Sequence, residues 1–262
     1  MKSPLAWIAV VLVLAGAMGL YYWRSMVPAV PSPAPPVAAV PEVRPPNEPP
    51  RILHPLPEPP ANAPALPTLA DSDRLINDTV AGLYGRDAFT RFFHADGLVR
   101  RFVATVDNLP RKTAAVRLMP VKPVPGAFAV KAGAGDFTVA PDNAWRYRPY
   151  VVAMETADAK RLVAAYVRFY PLFQSAYREL GYPDAYFNDR LVVAIDDLLA
   201  APDADAATLT QPKVVYEFAD ADLEQRSAGQ KIMMRMGTGN ATRVKDKLRA
   251  IRRELTVASP AS

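Results

Sequence analysis

The sequence predicts a mainly α protein: a helical globular domain with a small β-hairpin, preceded by a single transmembrane helix and a disordered, proline-rich linker. Three observations carry this prediction. An uncharged apolar run spans residues 5–23, about sixteen of the 28 prolines lie within residues 28–67, and apolar residues recur at helical spacing beyond them. We therefore divide the chain into a signal-anchor helix (1–27), a linker (28–67), a helical soluble domain (68–257) and a disordered tail (258–262).

The apolar run matches the ~20 residues that a helix needs to cross a bilayer, which makes membrane lipid the expected partner of residues 5–23. Lys2 precedes the run, Arg24 follows it, and aromatic residues lie near its ends. We expect a single-pass protein of the bacterial inner membrane with its soluble domain in the periplasm, although Lys and Arg are nearly balanced across the run. A cleavable signal peptide is the alternative, because Ala15-Gly16-Ala17 has the pattern of a cleavage site. A cytosol-facing domain is a further alternative.

The prolines of residues 28–67 fix φ and remove N–H donors, so the segment favours polyproline II and serves as a semi-rigid spacer. Binding of its proline-rich pieces to aromatic-grooved partners is an alternative. His54 lies alone among these prolines, and we expect it to be a bystander rather than a ligand.

The first half of the domain combines three helices with a hairpin. Asp71-Ser72-Asp73 predicts the cap of a helix ending at Gly85, a second helix covers residues 87–94, and Asp96 predicts the cap of a third that stops at Leu109-Pro110. Alternating apolar residues around a small-residue turn predict a hairpin within residues 127–140. A loop with aromatic and Arg residues is expected after it.

The second half is helical. We expect the longest helix from Thr156 or Asp158 to Leu180, with a kink or break at Pro171, and Gly181 as its left-handed terminus. The next helix covers residues 186–200, with Asp196 and Asp197 outward. Residues 212–218 are expected to form a short strand or an extended segment, and the last helices run from Asp220 and from Thr238 or Asn240.

The composition leaves few routes to catalysis. The chain has no Cys and only two His, His54 and His94, so the usual zinc, Ser-His and Cys-His sites lack parts. We expect no metal site and no cofactor, and an enzyme is the less favoured class. The absence of Cys also leaves the redox compartment open.

Carboxylate-only chemistry on a glycan remains as an alternative. Its candidates are Asp184 and Asp189, which lie near further polar and aromatic residues: Tyr182, Tyr186, Asn188 and Arg190. In the structural interpretation Asp184 caps a helix, Asp189 opposes the helix dipole, and the aromatic rings close a hinge between two helices.

The C-terminal part is basic: from Lys231 onward about eight basic side chains face two acidic ones, in a chain of net charge +5. The candidate binding residues are Arg243, Lys247, Arg249, Arg252 and Arg253. They predict an anionic envelope partner or a protein partner, with a solvated helix face as the alternative. Nucleic acid is disfavoured, because no aromatic residues or reading motif accompany these charges.

Three long sequence segments carry a resemblance to a known family. They are LVRRFVATVDNLP, YPLFQSAYRELGYPDAYFNDRLVVAIDDLLAAP and PKVVYEFADADLEQRSAGQKIMMRMGTGNATRVKDKLRAIRREL. They resemble the bacterial family called domain of unknown function 3014, over residues 72–255. The resemblance implies a domain that follows a membrane segment and a proline-rich linker. It brings no activity, substrate or catalytic residue.

We therefore expect a binding or scaffolding module of the cell envelope. The alternative is a membrane-tethered enzyme that acts on envelope glycan through carboxylates.

Overall fold

The computed structural model describes residues 52–57, 64–133, 136–205 and 207–257, all within one unit that covers Pro49–Ser262. The predicted transmembrane helix, most of the predicted linker and the predicted tail lie outside the described residues. Among the helices that are described, none has both the length and the apolar character to cross a bilayer.

Nine α-helices and four short strands make up the described chain, and their order is as follows. The elements are α1 (Asp73–Tyr84), α2 (Arg86–Phe92), α3 (Leu98–Asn108), β1 (Val130–Ala132), β2 (Phe137–Val139), α4 (Asp142–Thr156), α5 (Ala159–Glu179), α6 (Phe187–Leu199), β3 (Thr208–Thr210), β4 (Glu217–Phe218), α7 (Ala221–Glu224), α8 (Ala228–Arg235) and α9 (Thr238–Val257). The prediction of a mainly helical domain is confirmed.

The long helix α5 begins and ends where its local sequence predicts. The Asp158 side chain accepts a hydrogen bond from the N–H of Arg161 at 2.9 Å, which satisfies one of the free donors of the first turn. At the other end Gly181 has φ 111°, and the Tyr182 N–H donates to the carbonyl of Tyr177. The helix continues through Pro171 without the expected break.

Three predicted caps are wrong. The Ser72 hydroxyl donates backwards to the Leu69 carbonyl, because Ser72 itself has helical dihedral angles. Gly97, in the left-handed region at φ 61°, precedes α3 in place of Asp96. Tyr186 occupies the cap position of α6, which Asp184 was expected to fill.

Helix α4 replaces a predicted loop. Its buried Asn143 holds the hairpin: the side-chain oxygen accepts from the Ala129 N–H at 3.0 Å, and the side-chain amide donates to the carbonyls of Ala129 and Ala140. Three backbone groups next to the hairpin, the N–H and carbonyl of Ala129 and the carbonyl of Ala140, thereby bond to one side chain. The helix expected to start at Asp220 forms, but it divides into α7 and α8, with Ser227 as a new cap.

The hairpin of β1 and β2 is confirmed, and it extends into an antiparallel sheet in the order β1-β2-β3-β4. Phe137 lies opposite Leu209, and Leu209 lies opposite Phe218. Strand β3 was not predicted, since its sequence TLT reads as part of a polar loop. Leu209 and Phe218 are buried together with Met234 of α8, so the sheet packs on that helix.

The main core lies among α1, α3, α5, α6 and α9. Helix α9 turns one apolar face inward, because Leu255 is buried and Leu248 and Ile251 pack against the core. Helix α9 contacts α4, α5 and α6, so the C-terminal helix is a central part of the fold.

Candidate functional site

The first turn of α6 contacts a segment from within the predicted linker. We call residues 52–57 (Ile-Leu-His-Pro-Leu-Pro) the strap. The strap lies more than 120 residues before α6 in the chain. Four of the candidate binding residues lie at or next to this contact. Tyr186, Asn188 and Asp189 bind the strap, and Arg190 follows them in the chain and bonds to Asp107 instead.

Asp189 holds two successive peptide groups of the strap. Its Oδ2 accepts from the N–H of Leu53 at 3.1 Å, and its Oδ1 accepts from the N–H of His54 at 2.7 Å. Hydrogen bonds of this kind to an ionised carboxylate are among the stronger ones in proteins. Both carboxylate oxygens of Asp189 are therefore engaged by backbone donors.

Two neighbours complete the contact. The Asn188 side-chain amide donates to the carbonyl of His54 at 2.8 Å, and the Tyr186 hydroxyl accepts from the N–H of Leu56 at 3.0 Å. The Leu56 side chain packs against the main core. All of these polar contacts use the strap's backbone, so His54 takes part through its peptide group and not through its imidazole.

Asn188 is fully buried, and its orientation is fixed from behind. Its side-chain oxygen accepts from the Tyr166 hydroxyl at 3.1 Å, which leaves the amide to face the strap. Burial raises the pKa of the Tyr166 hydroxyl well above its usual value. The phenol therefore remains a donor at neutral pH and keeps this arrangement.

A second layer supports the same turn. The Gln174 side-chain oxygen accepts from the N–H of Phe187 at 2.9 Å and from the Tyr170 hydroxyl at 2.7 Å. The Gln174 amide donates to the Ala185 carbonyl at 2.8 Å. Burial, followed by the neighbouring Tyr186, raises the pKa of Tyr170. The residues that contact the strap are therefore held by the α5 side chains beneath them.

Tyr182 and Arg190 belong to a neighbouring charge cluster centred on Asp107. The buried Asp107 carboxylate accepts from Arg190 Nε at 3.1 Å and from Arg111 Nη2 at 2.7 Å, and it lies 3.4 Å from the Tyr182 hydroxyl. Hydrogen bonding and charge from Asp107 raise the pKa of Arg111. Arg190 and Tyr182 thus anchor α6 and its preceding turn to α3.

Asp184 is not brought into the site. It is exposed in the turn before α6 and has no hydrogen bond or ion pair among residues 52–57, 64–133, 136–205 and 207–257. The two carboxylates considered for glycan chemistry consequently have different environments. Asp184 faces solvent, whereas each carboxylate oxygen of Asp189 accepts a hydrogen bond from the strap.

The basic residues of α9 lie on another face, and three of them form ion pairs. Arg243 Nε lies 2.7 Å from Glu155, and two further pairs are Arg249 with Asp246 at 2.7 Å and Arg252 with Asp196 at 2.5 Å. The hydrogen bond from Arg243 is the largest influence that lowers the pKa of Glu155.

The remaining α9 candidates differ from each other. Lys247 donates to the carbonyl of Ala157 and so caps a backbone group, while Arg253 is exposed and contacts no acid in the described part of the chain. Asp197, expected to face outward beside Asp196, instead accepts from Ser227 and Gln230 of α8. Several of the basic side chains of α9, and the acidic side chains near them, therefore have partners within the fold.

Within the described ranges, no group of three or more His, Cys, Asp or Glu side chains is positioned to hold a metal ion. The geometry of the α6 turn instead offers hydrogen-bond acceptors and one amide donor to the backbone of the strap, which bends at Leu53 and His54.

Sequence reasoning missed the strap and Asp107. The apolar residues Ile52, Leu53 and Leu56 among prolines were a usable signal, since a purely solvated spacer has no need for them. Asp107 had a weaker signal, the (i, i+4) spacing to Arg111.

Comparison with known proteins identifies a family and nothing closer. None of the curated proteins and none of the solved structures matches this chain. The family model for proteins of unknown function, DUF3014, matches residues 98–252, which is more than half of the chain. This range includes all the described elements from α3 to α8 and most of α9. The chain therefore belongs to the DUF3014 family.

Proposed function

We propose that this protein is a protein-binding module that recognises the backbone of proline-containing segments through the first turn of α6, and that its own strap occupies this site in cis. The observation that carries the proposal is the double contact of Asp189 with the N–H groups of Leu53 and His54, where the strap bends. Successive N–H groups of an extended chain point in opposite directions, so this bend is what brings both of them to one carboxylate.

The strap's sequence supplies what such recognition needs. Pro55 and Pro57 restrict φ, so less conformational entropy is lost when the segment docks. Leu56 supplies an apolar anchor against the core, and its N–H donates to Tyr186. We therefore expect the preferred partner to be a segment with a leucine between two prolines.

We further propose that the module acts in the envelope, tethered to the inner membrane through residues 5–23, with the described domain in the periplasm. The support is the apolar run, its flanking Lys2 and Arg24, and the proline-rich residues after it. An alkaline phosphatase fusion after Ser262 tests the orientation. A fusion that accumulates without activity would place the domain in the cytosol.

The state of Asp189 favours binding over carboxylate catalysis. Carboxylate catalysis on a glycan needs two carboxyl groups that face one substrate, whereas Asp184 lies exposed outside the contact and Asp189 binds backbone N–H groups of the strap. The cations of α9 add no comparable site, because three of them form ion pairs and Lys245 and Lys247 donate to backbone carbonyls.

The experiment uses the full chain in lipid nanodiscs and a fluorescent peptide with the sequence of residues 49–58. In the wild type the strap competes at a high effective concentration, so binding in trans is weak. Replacing residues 52–57 by Gly-Ser repeats removes the competitor. We expect this replacement to tighten peptide binding at least tenfold in fluorescence anisotropy.

Two matched variants then test the site. Asp189→Asn in the strap-replaced chain turns one acceptor into a donor, so peptide affinity should fall at least tenfold. Asp184→Asn makes the same charge change at the exposed carboxylate and should leave the affinity unchanged. A peptide methylated at the two amide nitrogens equivalent to Leu53 and His54 should fail to bind. Absence of peptide binding to the strap-replaced chain would refute the proposal.

A further inference from the structure

The helices of the main core line a partly open cavity of about 330 Å³. Its wall comes from α1, α3, α5, α6 and α9, and from residues near Leu109 and Pro120. Protein interiors are close-packed, with few voids larger than a water molecule. At ~30 Å³ for each water-sized group, this space holds about ten of them, and it falls within the ~300–1,000 Å³ range of small-molecule sites.

The cavity wall is almost wholly apolar. No Asp, Glu, Lys, Arg or His lines it, and aliphatic and aromatic side chains supply nearly all of its surface. The Thr79 hydroxyl in the wall already donates to the Leu75 carbonyl at 2.8 Å, and the Tyr166 hydroxyl donates to Asn188. Neither of these hydroxyls needs a ligand as a hydrogen-bond partner.

Tyr84 differs from the other polar residues in the wall. Its ring contacts Phe93 at 5.2 Å, but its hydroxyl makes no hydrogen bond within the described residues. Burial raises the pKa of Tyr84 to about 12, so the group remains a neutral donor at physiological pH. Tyr84 is half-buried, and its hydroxyl is not among the buried polar atoms without a partner in the described residues. A ligand oxygen at this point would replace water as the partner of the hydroxyl, while the rest of the ligand meets a mainly apolar surface.

Several wall residues are only half-buried, among them Val80, Leu83, Leu162 and Ile251. These positions lie on α1, α5 and α9. Access from solvent through the seams between these helices is therefore available without unfolding the core.

We propose that this cavity binds a hydrocarbon chain, the acyl chain of a fatty acid or of a membrane lipid, with the polar end of the ligand near the Tyr84 hydroxyl. An uncharged, apolar wall excludes polar metabolites, because their buried groups would lack partners. A hydrocarbon chain can adjust its single-bond rotamers to the irregular wall that five helices supply. The proposal rests on different contacts and a different kind of ligand from the strap, and the two sites meet at the hydrogen bond from Tyr166 to Asn188.

Photo-crosslinking of the full chain in nanodiscs tests the proposal. One arm uses palmitic acid with a diazirine in its chain, and the other uses a nanodisc phosphatidylcholine that carries the same photoreactive chain. We expect crosslinks at wall residues of α1, α5 or α9, mapped by mass spectrometry. Excess unlabelled decanoic acid should reduce them at least tenfold in the free-acid arm. Wall labelling in the first arm alone identifies a free fatty acid, and wall labelling in the second arm identifies a membrane lipid.

Two variants fill the cavity. Ala194→Trp and Ala165→Phe place rings into the wall and should each reduce labelling at least tenfold. Val193→Trp on the same helix is the matched control, because Val193 is 48% exposed and should leave labelling unchanged. Circular dichroism checks that each variant folds, and the decanoic acid competition does not depend on any variant. Labelling confined to residues outside the wall, or labelling unaffected by decanoic acid and by both filling variants, would overturn the proposal.

Discussion

The N–H of Gly229 in α8 donates to the carbonyl oxygen of Leu109, just after α3, at 2.9 Å. A Cβ atom at Gly229 would lie 3.2 Å from that oxygen and 2.7 Å from Leu198 Cδ2. The two backbones therefore approach closely because this position has no side chain. The contact joins the C-terminal helices to the end of α3.

Gly229→Ala should lower the free energy of unfolding by about 1–3 kcal/mol, because crowding against the Leu109 backbone outweighs the ~1 kcal/mol gain in helix propensity. Gly82→Ala is the matched control, since nothing lies within 4 Å of a Cβ there. The control should gain about 0.5–1 kcal/mol. Urea unfolding followed by circular dichroism measures both, and stabilisation by Gly229→Ala would contradict the close approach.

Asp107→Asn should lower the free energy of unfolding by about 2–3 kcal/mol. The substitution leaves Arg190 and Arg111 without their shared carboxylate, whose side chain is only 7% exposed. The cost is below the ~3–5 kcal/mol of a fully buried pair because both arginines reach solvent. Asp246→Asn, at the exposed pair with Arg249, should change stability by less than about 0.5 kcal/mol. Equal effects of the two substitutions in urea would contradict the central role of Asp107.

Glu224 should make the fold sensitive to acid. Burial alone would raise the pKa of this carboxyl, but hydrogen bonds from Lys231 at 2.7 Å and from the Phe218 N–H at 2.9 Å outweigh it and lower the pKa. A carboxyl with a lowered folded-state pKa stabilises the fold above its unfolded pKa of ~4.3, and this contribution disappears as pH falls through the folded value.

We therefore expect the urea midpoint of the wild type to fall as pH decreases below about 4.5, and Glu224→Gln to reduce this dependence. Glu217→Gln serves as the control, because Glu217 makes no ion pair within the described residues. The prediction fails when the Gln variant at position 224 retains the full acid dependence of the wild type.

The strap amides should be protected from hydrogen exchange in the wild type. Leu53, His54 and Leu56 donate to α6 side chains, whereas Ile52 donates to no described residue. Asp189→Asn should accelerate exchange at Leu53 and His54 at least tenfold, and Asp184→Asn should not. Measured by NMR or mass spectrometry, rapid exchange at Leu53 and His54 in the wild type would show that the strap does not dock.

Periodic apolar residues made α5, α6 and α9 predictable, since one face of each helix meets the core. Helix α4 was not predictable in this way. The apolar residues of α4 do not fall on one face: Val151 is buried, whereas Val152 and Trp145 are exposed. Pro149 also lies within the helix, where proline disfavours helical structure. Its partner α9 lies about a hundred residues later, so tertiary packing overrides the local pattern.

The candidate site was predictable only in part. Tyr186, Asn188 and Asp189 were recognised as a polar and aromatic group, but their contact lies 130 to 136 residues away in the strap. No local pattern encodes a hydrogen bond to a peptide group at that separation. The sequence shows that α9 is rich in basic residues. It does not show which acids pair with them, because acids such as Glu155 and Asp196 come from other helices.

Asn188 joins the strap to the wall of the cavity, since it donates to His54 and accepts from Tyr166, which lines that wall. In the two proposals above, one buried amide therefore takes part in both binding equilibria. Thermodynamic linkage requires reciprocity between them: a molecule that shifts Tyr166 on entering the core changes the docking constant of the strap by some factor, and undocking changes the molecule's affinity by the same factor.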